Sequence, residues 1–521
     1  MAEQSSKPVL TERIEPYSWY VLGVLVLVYV LNFVDRQILS ILAEDIKADL
    51  HLTDGDLGFL YGTAFGVFYA LFGIPIGRLA DNWNRVRLIT AGLTLWSAMT
   101  ALSGLSSNRI MLTGARVGVG IGEATAGPSA YSLISDWFPK AKRATALAIY
   151  TTGLYIGGGL SLGIGGLVVQ RWNAAYPGGG PYGLAGWQAA FLVVGIPGIL
   201  LAIWVSTLRE PVRGRSEGMA TPPHPAPFKA FGEDLLAIIP PLTLIGAYLR
   251  GPRTLLLNLL VAATIAGLVW GLVSLGEPIA QWVAVGIGSY AVYSWASTLK
   301  SRDAPAYALI VGNPAFLAIV LAYGLNSFVA YAVGFWAAPH AIRDLGVAPA
   351  QAGFILGSLG AVAGFLGVSI GGVMADRLRR TNPSGRIAVV LFGAIAPIAP
   401  VVIGFLASEP KLFYVMLFCA QMLAATALGA AGASVQDLVL PRMRGTATGT
   451  FFIGTTLIGL ALGPYIAGRV STLTGSLPTG ILSLFAVSPI AVAAGIYAYR
   501  KYPLAESSRE DRARAAGEAM N

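Results

Sequence analysis

Cysteine, histidine and charge are all scarce in this chain of 521 residues. With one cysteine, Cys419, no disulfide can form within the chain, and three histidines, His51, His224 and His340, offer no cluster for a metal. Charged residues make up 12% of the chain, against roughly 25% in soluble proteins, whereas 55% are hydrophobic. These scarcities exclude a disulfide-stabilised secreted domain and predict a polytopic membrane protein.

Long apolar runs dominate what is present. Fourteen of them reach the roughly 20 residues that cross a bilayer, and they fall into groups of six, two and six: 17–43, 55–77, 88–106, 110–135, 144–169 and 187–208; 254–275 and 279–299; 314–339, 350–374, 386–407, 411–435, 446–468 and 478–500. The two middle runs are apolar on nearly all sides. We therefore expect both to pack outside the core and face lipid.

The stretch between the sixth and seventh runs predicts a linker. A polar, proline-rich segment covers 209–228, and the short apolar stretch 235–249 is interrupted by Pro240-Pro241, which predicts an interfacial helix and not a span. The predicted organisation is an N-terminal six-helix bundle (1–215), a linker with the interfacial helix and the inserted pair (216–305), a C-terminal six-helix bundle (306–504) and a tail (505–521).

The net charge of +9 does not indicate nucleic-acid binding, because the basic residues cluster in particular short loops. Lysine and arginine in short loops mark the cytoplasmic side. Alternate loops are rich in them, and the first opposite loop is acidic: Glu44, Asp45, Asp49, Asp54 and Asp56 against Lys47. We therefore expect an integral protein of the plasma membrane, or of the inner membrane in a bacterium, with both termini in the cytoplasm.

The two six-helix groups carry a weak repeat. Gly77-Arg-Leu-Ala-Asp81 follows the second run, and Gly372-Val-Met-Ala-Asp376-Arg377 follows its counterpart. Asp136 precedes Arg143 by seven residues, as Asp437 precedes Arg444. Because the order is the same in both groups, the halves should be parallel repeats related by an axis along the membrane normal.

Four ionisable residues lie inside the apolar runs: Asp35, Arg36, Arg116 and Glu123. A charge near the bilayer centre costs at least ~3 kcal/mol on insertion scales, so these residues indicate a polar site or a structural ion-pair network. Arg116 and Glu123 are two helical turns apart and share a helix face, at a depth where the first span can bring Asp35 and Arg36 to meet them.

The types of these four residues suggest roles. Burial favours the neutral form of a carboxyl group and a nearby arginine favours the carboxylate, so Asp35 and Glu123 are candidate proton carriers. Arg36 and Arg116 are candidates for binding an anion, since the guanidinium fork matches phosphate or sulfate. The positions in the second half that correspond to Arg116 and Glu123 hold Leu417 and Ala424, so the coupling chemistry is expected in the first half.

Further polar residues are assigned to gating or to the substrate cavity. Asp81 is expected to face the N-terminus of the eleventh core span near Arg444 and to close the cytoplasmic side. Arg85, Arg143, Asp376 and Arg377 complete the gating set. The candidates for lining the cavity, besides the two arginines, are Tyr69, Asn326, Tyr331 and Gln421, although buried amides more often join helices.

Several motifs resemble the major facilitator superfamily and, within it, the spinster-like lipid transporters. The loop Gly77-Arg-Leu-Ala-Asp81-Asn-Trp-Asn84-Arg85 is similar to the superfamily loop between its second and third helices, where it has a gating role. Asn32-Phe33-Val-Asp35-Arg36 and Arg116-Val-Gly-Val-Gly120-Ile-Gly122-Glu123-Ala124 resemble the spinster subgroup. Two features depart from the subgroup: Gln188 stands where many relatives have arginine, and the two-helix insertion is additional to the usual twelve.

The resemblance implies the major facilitator fold, all-α, with two six-helix bundles and here two inserted helices. It implies a lipid substrate such as a sphingosine phosphate-like molecule or a lysophospholipid, and the buried residues add protons and an anionic group. We therefore expect a proton-coupled, alternating-access transporter, a monomer without cofactor, metal or nucleic-acid partner, and not an enzyme. A carrier of small organic anions is an alternative, and a polytopic lipid-modifying enzyme a weaker one.

Overall fold

Helices account for nearly all of the residues that the computed structural model describes, which are 14–214 and 225–518. The polar N-terminal segment 1–13, the central part of the predicted linker (215–224) and residues 519–521 lie outside the described residues. No β-strand occurs in the described ranges. The all-α fold class expected from the apolar runs is therefore confirmed.

The first half of the bundle comprises seven helices. They are α1 (Pro16–Asp49), α2 (Asp54–Asn82, with a π-helical turn at Phe59–Thr63), α3 (Arg85–Ser103), α4 (Arg109–Glu123), α5 (Ala126–Trp137), α6 (Lys140–Ala175) and α7 (Gly186–Ser206). The caps follow the sequence: Asn84 and Asn108 accept hydrogen bonds from the first turns of α3 and α4.

The inserted segment forms five helices. They are α8 (Pro227–Ile238), α9 (Leu242–Leu249), α10 (Pro252–Ser274), α11 (Ile279–Arg302) and α12 (Ala304–Ile310). The axis bends by 98° between α8 and α9, at the position of Pro240-Pro241. The second half follows with α13 (Pro314–Arg343), α14 (Pro349–Thr381), α15 (Gly385–Leu406), α16 (Pro410–Asp437), α17 (Pro441–Thr474), α18 (Leu477–Ser507) and the short α19 (Arg509–Ala515).

Twelve of the helices in the described ranges are long and apolar enough to cross a membrane. Two of the fourteen predicted runs are not among these twelve. One is α11, which is long enough to cross a membrane but carries polar side chains that lower its hydropathy. The other is the fourth run, which is broken into α4 and α5. Their crossing of the membrane stays a prediction.

The break in the fourth run lies directly after Glu123, at Ala124-Thr125. Pro128 has no N–H to offer the carbonyl of Ala124, and its ring opposes a continuous helix there. The Thr125 hydroxyl donates to the Gly122 carbonyl at 2.8 Å and stabilises the end of α4. Glu123 therefore stands at a helix terminus and not in mid-helix.

The halves repeat each other in three dimensions. Arg85 at the start of α3 pairs with Asp136 at the end of α5, and Arg386 in the first turn of α15 pairs with Asp437 at the end of α16. Each arginine thus ties the third span of its half to the fourth. This equivalence agrees with the parallel repeat expected from the sequence.

One end of the bundle, which we call the closed end, joins the two halves directly. Arg343 at the end of α13 pairs with Glu44 at 2.6 Å and with Asp54 at 2.7 Å. Ser471 donates to Asp54 at 2.6 Å, and the α2 backbone at Gly58 abuts the α17 backbone at Pro464. Asp54 lies in the acidic loop predicted to face outward, so the closed end is the predicted outer end.

At the opposite end, which we call the open end, no hydrogen bond or ion pair runs directly between the two halves within 14–214 and 225–518. Asp81 and Arg444 are both exposed there and do not pair with each other. With the predicted orientation, the structure is inward-facing.

The inserted pair divides its contacts unequally. Helix α10 is almost entirely exposed, with Asn258 its buried residue, as expected for a lipid-facing helix. Helix α11 instead buries a face of small residues, and a Cβ added at Gly288 would lie 3.1 Å from Leu457 of the second half and 3.3 Å from Val67 of the first. The expectation that both helices are peripheral therefore holds for α10 but not for all of α11.

Glu277, in the loop between α10 and α11, docks the insertion on the second half. Its carboxylate accepts hydrogen bonds from Tyr465 at 2.8 Å, from Arg469 at 3.1 Å and from Trp282 at 3.3 Å. Burial opposes ionisation, but these donors outweigh it and hold the pKa of Glu277 below its usual value. The carboxylate is therefore ionised at neutral pH.

Candidate functional site

The four ionisable residues of the apolar runs meet between α1 and α4. Asp35 and Arg116 are fully buried, Glu123 is 1% exposed and Arg36 is 7% exposed. Arg36 binds Glu123 through Nη2 at 2.7 Å and Nε at 3.2 Å, both to Oε2. The sequence prediction that these side chains converge at one depth is thus realised in the structure.

Aromatic rings surround the Arg36 guanidinium. Its Cζ lies 4.7 Å from the ring centre of Phe65, 4.8 Å from Phe33 and 5.1 Å from Tyr69. Cation–π attraction of this kind stabilises a desolvated cation by about 2 kcal/mol or less per contact. Arg36 is therefore held both by a carboxylate and by rings. Neither Arg36 nor Arg116 lines the cavity described below, contrary to the prediction, but Phe33, one of the rings against Arg36, does.

Asp35 and Arg116 form the deeper part of the site. Arg116 donates from Nη1 to the backbone carbonyl of Asp35 at 3.3 Å, whereas its Nε and Nη2 have no partner within the described chain. Neither carboxylate oxygen of Asp35 accepts a hydrogen bond from a described residue, although Trp96 and Thr100 face it. Buried polar groups of this kind are normally satisfied by water, a proton or a ligand.

A cavity of about 350 Å³ lies beside this cluster. The second half supplies most of its wall, from α13, α14, α16 and the middle parts of α15 and α18, and α1, α2 and α6 complete it. Most of the wall is apolar. Asn326, Tyr331 and Gln421, three of the predicted cavity residues, line it, and Phe33 connects it to the ring cage of Arg36.

Tyr69 is placed differently. It does not line the cavity but stacks on Phe65, with ring centres 5.5 Å apart, below the Arg36 guanidinium. Sequence reasoning missed Gln37 and Tyr61, which line the cavity and share a hydrogen bond of 2.9 Å. The position of Gln37 next to Arg36 in the motif was an available signal, whereas Tyr61 had none.

The gating candidates lie at the open end. Arg85 is fully buried inside the first half, where it pairs with Asp136 and with Glu210 at 2.7 Å and donates to Ser132 at 2.9 Å. Arg143 donates to the Ser135 carbonyl at 3.1 Å. Asp376 is exposed and lies 3.5 Å from Arg386, and Arg377 is exposed beside it.

The closed end supplies a gating residue that the sequence did not reveal. Arg343 makes bidentate contacts with both Glu44 and Asp54. It stands at the end of the seventh core span, on the side that is poor in bases, opposite the acidic loop. A lone cation facing a run of acids was the signal that could have identified it.

Comparison with known proteins agrees with this architecture. The family profile of the Major Facilitator Superfamily matches residues 25–320 and 315–519. The chain is 27% identical to an efflux pump of this type from Mycolicibacterium smegmatis (87% of this chain, 84% of that one). It is 24% identical to spinster homolog 1 of Xenopus tropicalis (86% and 72%).

Two further similarities bear on conformation and substrate. A solved bacterial homologue of the human lysosomal transporter spinster, inward-facing and unoccupied, superposes with a TM-score of 0.65 at 25% identity, covering 96% of this chain and 97% of that one. A protein named probable galactarate/D-glucarate transporter of Bacillus subtilis is 30% identical over 37% of this chain and 41% of its own length. The chain therefore belongs to the Major Facilitator Superfamily, as an integral membrane transport protein with spinster-like relatives.

Proposed function

We propose that the protein is a proton-coupled secondary transporter that moves an amphipathic anionic lipid, such as a sphingosine phosphate-like molecule or a lysophospholipid, by alternating access. The observation that carries the proposal is the buried Arg36–Glu123 pair, which adjoins the cavity of about 350 Å³ through the ring of Phe33. A buried ion pair is a costly way to join helices, so its position beside a cavity favours a role in transport.

The wall of the cavity fits an amphipathic substrate. Its polar groups, among them Asn326, Tyr331 and Gln421, are dispersed in a largely apolar surface that can hold an acyl chain. Arg36 is the member of the charged cluster with exposed surface, and its Nη1 makes no hydrogen bond within the described chain. An anionic headgroup at this guanidinium would gain a charge-assisted hydrogen bond.

Competition for Arg36 supplies a coupling step. A headgroup that approaches the guanidinium weakens the hold of Arg36 on Glu123, and a released buried carboxylate gains a proton. Asp35 and Arg116 are a second acid and base deeper in the first half, where Arg116 contacts the backbone carbonyl of Asp35 and not its carboxylate. Loss of the proton on the other side of the membrane restores the ion pair and expels the anion, so this step carries the proton and the substrate in the same direction.

Small organic anions are the second candidate substrate class. The similarity to a protein named probable galactarate/D-glucarate transporter supports it over part of the chain. A short dianion would contact the two arginines and leave the apolar wall empty. A lipid would contact an arginine with its headgroup and the apolar wall with its acyl chain. Competition between a lysophospholipid and galactarate for binding therefore separates the two candidates.

The test measures uptake into proteoliposomes under an imposed pH gradient. Wild type should accumulate a lysophospholipid or sphingosine phosphate, and Asp35→Asn or Glu123→Gln should reduce uphill uptake at least about tenfold. Glu409→Gln, an exposed carboxylate without an ion pair, is the matched control. Binding, read as a thermal shift, should survive in both carboxyl variants.

Wild-type accumulation by both carboxyl variants would overturn the coupling. Arg116→Ala should instead weaken binding of the anion itself, and unchanged binding would remove that residue from the proposal. Accumulation of galactarate but of no lipid would replace the substrate class and leave the transport mechanism in place.

A further inference from the structure

Arg250 occupies a junction outside the cavity, where α9, α10 and α11 meet at the open end. Gly251 follows it at φ +117°, a backbone conformation that suits glycine, and turns the chain from α9 into α10. The guanidinium donates from Nε to the Gly246 carbonyl at 3.1 Å and from Nη1 to the Thr298 hydroxyl of α11. The side chain is thus fixed between two helices of the insertion.

The third nitrogen of the Arg250 guanidinium, Nη2, makes no hydrogen bond within the described chain, although it is buried. No acidic side chain of the described residues lies within 4 Å of the guanidinium. An arginine nitrogen buried without a partner costs free energy, so this one is suited to an acceptor from outside the protein.

The surrounding charge is positive. Arg302 lies nearby, and Arg253 follows three residues later at the start of α10. The buried acid of this region, Asp234, accepts through Oδ1 from both Arg78 and Arg302 at 2.7 Å, whereas its Oδ2 has no partner within the described chain. Burial, together with Arg302, holds the pKa of Arg250 below its usual value, which a bound anion would offset.

Apolar surface adjoins the guanidinium on the outside of the molecule. Leu249 is 73% exposed, Tyr248 is 69% exposed and Leu256 is 58% exposed. Helix α10, which carries Leu256, has the smallest buried share, 6%, of the twelve membrane-length helices in the described ranges. A bilayer would therefore place acyl chains against these side chains and phosphate groups at the level of Arg250.

We propose that Arg250, anchored by Thr298, binds the phosphate of an anionic phospholipid from the leaflet at the open end, the predicted cytoplasmic leaflet. Arginine matches phosphate with two parallel N–H donors, and anionic lipids gather at basic residues on the cytoplasmic face. The site lies on the inserted helices and is separate from the substrate cavity, so it does not depend on the transported substrate.

The experiment uses the full chain in detergent micelles and reads thermal stability as lipid is added. Phosphatidylglycerol should raise the melting temperature, and phosphatidylcholine and inorganic phosphate should raise it much less. Arg250→Gln should weaken the apparent affinity for phosphatidylglycerol about tenfold. Arg500→Gln is the control, because Arg500 is an exposed arginine at the same end of the bundle, has no ion pair and carries the same charge change.

A phosphatidylglycerol response in Arg250→Gln equal to that of Arg500→Gln would overturn the proposal. A response to inorganic phosphate as large as that to the lipid would overturn the assignment to a lipid. Should Arg250→Gln not fold, Thr298→Val keeps the charge and removes its anchor. It should weaken the affinity about threefold, and unchanged affinity in that variant would equally overturn the site.

Discussion

Arg36 combines an ion pair with three aromatic contacts in a single buried side chain. One carboxylate and three aromatic rings hold it, and one of these rings, Phe33, lines the cavity. Structural and functional roles are therefore joined in one guanidinium. Replacing Arg36 alone cannot separate its structural role from its functional role, but replacing Arg36 together with Glu123 can.

Arg36→Gln should lower the free energy of unfolding by about 3 kcal/mol, because Glu123 would remain buried without its partner. Arg36→Gln combined with Glu123→Gln should recover most of that loss, since no unpaired charge remains. Unfolding in detergent measures both variants. Recovery of stability without recovery of transport assigns the pair to function, and no loss in the single variant would contradict the buried pair.

The sequence identified site residues where an ionisable side chain interrupts an apolar run. Asp35, Arg36, Arg116 and Glu123 stood out for this reason, and the structure groups them. Tyr61 and Tyr69 belong to a residue type that is common in membrane helices, so sequence alone could not show that the first lines the cavity and the second supports Arg36. Such assignments depend on the packing of several helices at once.

At the scale of the helix, the contact between α2 and α17 decides how tightly the closed end shuts. A Cβ added at Gly58 would lie 2.7 Å from the backbone of both Pro464 and Tyr465. Neither backbone can turn away as a long side chain could. The absence of a side chain at this position is therefore a condition for the present conformation.

Gly58→Ala should favour opening of the closed end. Overpacking costs about 1–3 kcal/mol and falls on the closed conformation alone, so the population with this end open should rise about tenfold or more. Gly73→Ala is the control on the same helix, since a Cβ there meets nothing within 4 Å. Spin-label distances between the halves would report the change, and equal distributions in the two variants would contradict it.

Helix identity followed from the apolar runs, but the interruption within the fourth run did not. Pro128 gave a local signal for a break, while hydropathy alone read 110–135 as continuous. The buried face of α11 was equally hidden, because small residues such as Gly288 and Ala291 carry the same hydropathy whether they face lipid or a neighbouring helix. Helix packing, and not composition, separates these cases.

For the whole molecule, the two ends of the bundle differ in whether polar contacts join the two halves. Direct polar contacts between the halves gather at the closed end, around Arg343, and the expected contact of Asp81 with Arg444 is not made in the described structure. Alternating access requires that the two sets of contacts form in turn. The bacterial spinster homologue that superposes on this chain was solved in an inward-facing conformation, which agrees with this state.

Arg343→Gln and Asp81→Asn should shift the population in opposite directions. The first removes the ion pairs that shut the closed end and should favour the outward-facing state. The second removes the charge expected to close the open end and should favour the inward-facing state. Spin-label distances at both ends measure the shifts. Arg109→Gln is the control, because Arg109 pairs with Asp56 inside the first half, and shifts of the same sign would contradict the two-gate picture.

The predicted topology can be tested with the single cysteine removed. In a Cys419→Ser background, Leu275→Cys introduces a thiol at a position that is 83% exposed in the loop between α10 and α11. Asp511→Cys introduces one in the tail. An impermeant reagent should label the first in intact cells and the second only after permeabilisation; labelling of both from the same side would refute fourteen spans.

Helix α11 also determines where motion is small. It touches Val67 of one half and Leu457 of the other near the same residue, Gly288, and Glu277 fastens it to α17. A helix in contact with both halves restricts their separation there, so the halves should move apart most on the side of the bundle farthest from α11. The two halves should therefore swing about a line beside α11. The opposite edge, between α6 and α14, should part first at the open end, because toward the closed end the two helices meet backbone to backbone, with a Cβ added at Gly166 only 2.9 Å from the carbonyl carbon of Pro349.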